Sequence, residues 1–269
     1  MLIFVPTDLE LLSEATRILQ ARNTLALCTV IEKVGSGPRD VGAKMLVTED
    51  GKNYGTIGGG NVERRVVEEC LKAIKEGKSR KVTFSLNKSQ REGTVGTGMI
   101  CGGELTVLAD VIEPTPRIII VGAGHVALPL AKLASTVGYE IVIMDDERKR
   151  ANKEQFPMAQ TIIAGDYNQI LSTFTVAPSD AFVIAHGEPD HDYSALKWGL
   201  QQNLAYVGLL GSKAKVKLLT DKLRAEGVKE EQFKLLHAPI GLDIGAVTPE
   251  EIGISILAEI IALKRKTHY

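Results

Sequence analysis

The run Arg117-Ile118-Ile119-Ile120-Val121-Gly122-Ala123-Gly124-His125-Val126-Ala127 constrains the fold more than any other stretch of the chain. Four β-branched apolar residues favour a strand. They feed a G-x-G-x-x-A turn in which Gly122 and Gly124 let the backbone bend sharply and come close to a pyrophosphate at a helix N-terminus. Ala127 allows close packing of helix on strand. Apolar strands predicted at 140–144, 161–164, 180–185 and 204–209 continue the pattern, with a helix predicted at 126–137. That alternation implies a parallel sheet with crossover helices. The strand at 140–144 ends in Asp145-Asp146, at the distance where an acidic residue meets ribose hydroxyls. Asp145 is the expected ribose ligand and favours NAD over NADP, with Arg148 and Lys149 pulling the other way.

The chain has 269 residues, enough for two domains with separate cores. Glu113-Pro114-Thr115-Pro116 is stiff and extended, because each proline fixes its own φ and restricts its predecessor, so the boundary is set at 1–113 and 114–269. The front half opens with a capping box, Thr7 and Glu10, before a helix ending near Arg22. Strands are predicted at 24–31, 43–48, 53–57, 81–86 and 104–112, with an Asp50-Gly51 turn. A helix carries Val62, Val66, Cys70 and Ile74 at four-residue spacing and stops at Gly77. A final helix is predicted at 248–264. The fold class is therefore α/β: a mixed α+β N-terminal domain rich in strands, then a doubly wound parallel sheet.

Three glycine loops dominate the front half. Gly35-Ser36-Gly37-Pro38-Arg39 offers backbone amides and a planar guanidinium suited to phosphate or carboxylate. Gly58-Gly59-Gly60 opens a helix whose first amides lack helical partners, with Glu63 placed either to cap them or to leave them to a ligand. Residues 93–103 hold five glycines and Cys101, followed by Gly102 and Gly103. Cys101 reads equally as an accessible thiolate or as a buried strand residue. In the rear half, Gly211-Ser212 opens a helix, with Ser212 expected as an N-cap ahead of an anion contact. His125 sits inside the glycine turn. His186, His191 and Asp192 read as a polar loop and no metal site is assigned, because three or four convergent ligands are not evident from spacing.

Lys and Arg number 32 against 33 Asp and Glu, which gives no field to attract nucleic acid. No apolar run reaches the roughly 20 residues of a membrane helix, and residues 1–6 lack a basic leader. A soluble, cytoplasmic chain is expected. Three cysteines at wide spacing form neither a disulfide framework nor a zinc pattern.

Gly35 to Arg39 with Gly42-Ala43-Lys44-Met45, Gly55-Thr56-Ile57-Gly58-Gly59-Gly60 with Glu63, and Met99-Ile100-Cys101-Gly102-Gly103 resemble the N-terminal motifs of the XdhC/CoxI accessory proteins of xanthine dehydrogenase. Gly122 to Val126, Gly208 to Lys213, Ala238 to Ala246 and Thr248 to Ile252 resemble the family's C-terminal Rossmann domain. The resemblance implies a homodimeric carrier rather than a turnover enzyme. Such a carrier binds the molybdenum cofactor (molybdopterin), shelters it while a cysteine desulfurase supplies its terminal sulfur, and delivers it to a molybdenum hydroxylase apoenzyme. The cofactor is expected between the two domains, with Cys101 as a sulfur or metal contact and NAD or NADP as a second candidate ligand. Two rival readings are an NAD-dependent oxidoreductase and a dinucleotide-responsive binding module.

Overall fold

A computed structural model describes residues 6–86, 93–97, 102–204 and 206–267. The chain divides into two compact units, Met1–Pro114 and Thr115–Tyr269.

The front unit contains α1 (Asp8–Gln20), β1 (Leu25–Val34), β2 (Lys44–Thr48), β3 (Asn53–Gly55), α2 (Gly60–Glu76), β4 (Arg80–Ser85), β5 (Val95–Gly96) and β6 (Glu104–Ile112). Its sheet runs β3-β2-β1-β6-β4-β5, antiparallel except between β4 and β5. Strand alternation sorts the side chains. Ala26, Cys28, Val30, Met45 and Val47 pack with Val62, Val66 and Cys70 of α2, whereas Leu25 and Leu46 pack with Leu11, Ala15 and Ile18 of α1. Each fully buried aliphatic side chain contributes about 1.5–3 kcal/mol relative to exposure. The capping box forms as the sequence predicts, with the Glu10 amide donating to Thr7 Oγ1 and the Thr7 amide to Glu10 Oε2. Gly77, at φ 62°, ends α2 in the left-handed conformation.

The rear unit contains β7 (Arg117–Val121), α3 (Ala127–Thr136), β8 (Glu140–Asp145), β9 (Thr161–Ala164), α4 (Tyr167–Thr173), β10 (Ala181–Ile184), α5 (Pro189–Gly199), β11 (Tyr206–Leu209), α6 (Lys213–Ala225), α7 (Glu230–Phe233), β12 (Leu236–His237) and α8 (Pro249–Thr267). Its sheet is parallel throughout, in the order β9-β8-β7-β10-β11-β12. This is the doubly wound Rossmann arrangement, whose order reverses between β7 and β10. Alternation again divides the core. Ile118, Ile120, Ile141 and Ile143 face α3 and α8, while Ile119, Val121, Val142 and Met144 face α4, α5 and α6. At the amino edge, buried Asp180 accepts from the Arg117 amide at 3.1 Å, from Arg117 Nη2 at 2.6 Å and from the Ala177 amide at 2.8 Å. No helix among the described residues is long and apolar enough to cross a membrane.

Candidate functional site

In the front unit the glycine loops meet through their backbones. A Cβ on Gly103 would lie 2.3 Å from the Ser36 carbonyl oxygen, and one on Gly35 (φ 73°) would lie 3.1 Å from the Gly102 oxygen. A Cβ on Gly58 would lie 2.4 Å from Cγ of Pro38. The loops carrying Gly35 to Gly37, Gly58 to Gly60, and Gly102 with Gly103 therefore share one end of the sheet, and bulk at these points would separate them. Arg39 is half-buried beside them and has no hydrogen-bond or ion-pair partner among the described residues. Cys101 lies outside the described residues.

Glu63 decides between the two uses of the second loop. Its Oε1 accepts from the Gly59 amide at 2.8 Å, from the Ile57 amide at 3.2 Å and from the Thr56 hydroxyl. The carboxylate thus satisfies amides that a bound anion would otherwise take. A Cβ on Gly59 or Gly60 would meet no other atom within 4 Å, so the space beside that turn is open.

The other two cysteines form a buried pair. Cys28 and Cys70 are fully enclosed with their sulfurs 3.0 Å apart. The hydrogen bond to Cys70 and burial push the Cys28 thiol well above its ordinary pKa, so this sulfur stays protonated and unreactive.

In the rear unit the loops after β7, β8 and β10 gather at the carboxyl edge, where such sheets bind ligands. Gly122 has φ 100°, and a Cβ there would lie 2.4 Å from Cα of His186. The glycine is required by this main-chain approach. Gly124 has ordinary space around it, with the nearest atom to a Cβ 3.9 Å away. His125 is exposed in the same turn.

Asp145 is not presented to the rim. It is fully buried, its Oδ2 accepts from the Ala123 amide at 2.7 Å and its Oδ1 from the Glu147 amide at 2.9 Å. Oδ2 therefore holds the glycine turn and Oδ1 the start of the loop after β8, so Asp145 faces inward where a ribose contact was expected. Asp146 is the carboxylate that reaches the surface of this edge. Ser212 is an N-cap, its Oγ accepting from the Lys215 amide at 3.3 Å, and a Cβ on Gly211 would press on the Lys215 side chain. Asp192 also turns inward: it is fully buried, paired with Lys215 Nζ and accepting from the Gly187 amide at 3.2 Å.

Sequence reasoning grouped His186 and His191 with Asp192, whereas the structure brings them to Asp146. Nε2 of His186 lies 3.0 Å from Asp146 Oδ1, and the Glu188 amide donates to His186 Nδ1 over 3.4 Å. This pairing sets the neutral ring's proton on Nε2, donated to Asp146. The two imidazoles meet edge to face with centroids 4.5 Å apart, and Tyr167 flanks both at 5.5 and 5.1 Å. Burial raises the Asp146 pKa, but the His186 hydrogen bond, a backbone bond and the His186 and His191 charges outweigh it, leaving the carboxyl below its ordinary value. Burial, reinforced by the Asp145 and Asp146 charges, pushes the Tyr167 phenol up. Asp146 follows β8 and His186 follows β10, on either side of the β7 turn. The signal that could have joined them was the rule that all these strand ends share one edge.

Residues 118–260 match the family model of the XdhC Rossmann domain, and residues 18–85 match that of the XdhC and CoxI family. The Escherichia coli K12 protein YqeB is 38% identical over 95% of this chain and 46% of its own length. A Bacillus subtilis strain 168 protein, named as one of the probable subunits of xanthine dehydrogenase, is 38% identical over 58% of this chain and 45% of its own. The chain spans about half the length of these two relatives. The molybdenum cofactor insertion chaperone PaoD of Escherichia coli K12 is 22% identical, over 93% of this chain and 86% of its own. A crystal structure described as that of a xanthine dehydrogenase from Bacillus halodurans is similar with a TM-score of 0.52 at 26% identity, covering 97% of this chain and 96% of that one. With its Rossmann sheet matched nearly end to end and its front unit matched through β4, the chain belongs to the XdhC and CoxI family.

Proposed function

We propose that the chain binds the molybdenum cofactor in its front unit and passes it to a xanthine dehydrogenase-like molybdenum hydroxylase apoenzyme. The observation that carries this reading is the meeting of three glycine loops beside Arg39, a guanidinium with no partner among the described residues. Molybdopterin bears a phosphate and an oxygen-sensitive dithiolene, so a carrier needs anion donors, shelter and no permanent bond. Arg39 suits the phosphate through its planar fork. Open space beside Gly59 and Gly60 suits a ligand lying against backbone. Cys101, next in sequence to Gly102, is assigned to the metal or its sulfur ligand. The finer parts of the reading are shelter during sulfuration by a cysteine desulfurase, action as a homodimer and a cytoplasmic site of work. The name borne by PaoD supports cofactor insertion as the general role.

NAD or NADP at the β7 turn is the second reading. It is favoured by the Gly122 bend and the strand-order reversal beside it. With Asp145 turned inward, Asp146 is the carboxylate available to a ribose.

The test is anaerobic mixing of purified chain with molybdopterin, followed by gel filtration and mass spectrometry of the retained small molecule. Cofactor co-elutes with the parent chain. Arg39→Ala lowers retention roughly 10–100-fold, the value of a charge-assisted pair of about 1.5–3 kcal/mol. Equal retention by the parent, Arg39→Ala and Cys101→Ala would refute the residue assignments, and recovery of nicotinamide alone would favour the second reading.

A further inference from the structure

The cluster of Asp146, His186 and His191 belongs to the rear unit and plays no part in the glycine-loop reading of the front one. One donor atom from each residue lies within 4.8 Å of the other two. Zinc bonds of about 2.0–2.2 Å to imidazole nitrogen and carboxylate oxygen place neighbouring tetrahedral ligand atoms roughly 3.3–3.5 Å apart, so rotamer adjustments close the site. Two imidazoles and one carboxylate suit a divalent first-row transition ion, whereas magnesium and calcium take oxygen donors.

Further observations separate this cluster from a chance meeting of polar side chains. The His186 side chain is only 2% exposed, while Asp146 and His191 are 35% and 32% exposed, so the donors are held by protein and open on one side to solvent. Nδ1 of His191 is buried and makes no hydrogen bond, although Glu188 Oε2 lies 3.2 Å away. A buried nitrogen with an unused lone pair or proton needs an explanation. The ring of Tyr167, itself buried, walls the two imidazoles and lowers the local dielectric.

We propose that Asp146, His186 and His191 bind a divalent first-row transition ion, zinc fitting best, with a fourth position left for water or an anionic ligand. The ion replaces the His186 proton that Asp146 accepts. That proton moves to Nδ1, so the exchange gives up the Nε2–H bond to Asp146, whose place the ion takes, and the long 3.4 Å bond from the Glu188 amide to Nδ1. Asp146 contributes its anion and His191 a neutral nitrogen, so the bound ion carries a formal charge of about +1 before the fourth ligand arrives.

The experiment uses the whole chain, treated with chelator, returned to metal-free buffer and titrated with Zn²⁺ by calorimetry and with Co²⁺ by visible absorption. The parent takes up one ion per chain and gives cobalt ligand-field bands of a nitrogen and oxygen site, without a thiolate charge-transfer band. Asp146→Asn and His191→Ala lose at least the roughly tenfold affinity that even an outer-shell partner supplies. His191→Gln serves as a milder variant, with far-UV circular dichroism checking that each is folded. Failure of the parent to bind stoichiometric zinc, equal affinity in folded variants, or a spectrum dominated by thiolate would each overturn the proposal. Cofactor retention by the front unit is read separately and does not depend on this outcome.

Discussion

Removing the Glu63 carboxylate tests whether the front glycine turn is an anion site closed by its own chain. In Glu63→Ala, the Gly59 and Ile57 amides and the Thr56 hydroxyl lose a shared acceptor at the start of α2. Each charge-assisted bond has a gross value of about 1.5–3 kcal/mol, but Glu63 is half-buried and water replaces much of that. A cap worth about 0.5–2 kcal/mol and a helix-dipole contribution of about 0.3–1 kcal/mol give a net loss near 2 kcal/mol. For a unit of this size the loss lowers the melting temperature by roughly 5–10 °C. Far-UV circular dichroism follows the front unit with the rear, while fluorescence of Trp198, the single tryptophan, reports on the rear unit. Inorganic phosphate is then added: it stabilises Glu63→Ala, whose amides are free, more than the parent, in which Arg39 is open to it but the amides are taken. Glu63→Gln falls between the two. An unchanged melting temperature in Glu63→Ala, or equal stabilisation of parent and variant by phosphate, would overturn this account of the turn.

The two glycines of the β7 turn separate in their tolerance. Gly122→Ala costs at least about 3 kcal/mol, from a positive φ and collision with the His186 backbone, whereas Gly124→Ala stays within about 1 kcal/mol; urea denaturation compares them. Asp180→Ala leaves the largely buried Arg117 guanidinium without its carboxylate at the amino edge and lowers stability by about 3–5 kcal/mol in the same assay. Cys28 has a folded pKa above its unfolded value, so above about pH 8.5 the unfolded chain releases a proton that the folded one keeps. Stability from this thiol is therefore fully present below that pH and falls by up to about 1.4 kcal/mol per pH unit above it. Cys28→Ala has a shallower alkaline decline, measured by denaturation between about pH 7 and 10, and an identical decline would count against the assignment.

Most of the element order was legible because local chemistry and packing agree. The capping box of Thr7 and Glu10, the stop at Gly77 and the strand, turn and helix from Arg117 all occur as the residues predict. Short elements escaped: β5 and β12 have two residues each, too few for a period, and exist through pairing with β4 and β11. The site was less legible for a different reason. Asp145 and Asp146 are chemically alike, and only the bend at the end of β8 sends one beneath the glycine turn and the other toward His186. Likewise, Glu63 becomes a cap only because α2 starts at Gly60, and a start one or two residues away would direct the carboxylate elsewhere.

Lys215 stands 23 positions beyond Asp192, yet its ammonium holds that carboxylate and also reaches the Gly187 carbonyl at 3.3 Å. A strut from α6 therefore fixes where the loop bearing His186 and the first turn of α5, bearing His191, sit. Sliding or tilting that helix would re-aim both rings together without altering either, so substitutions along the outer surface of α6 offer a remote means of retuning chemistry at the edge of the sheet.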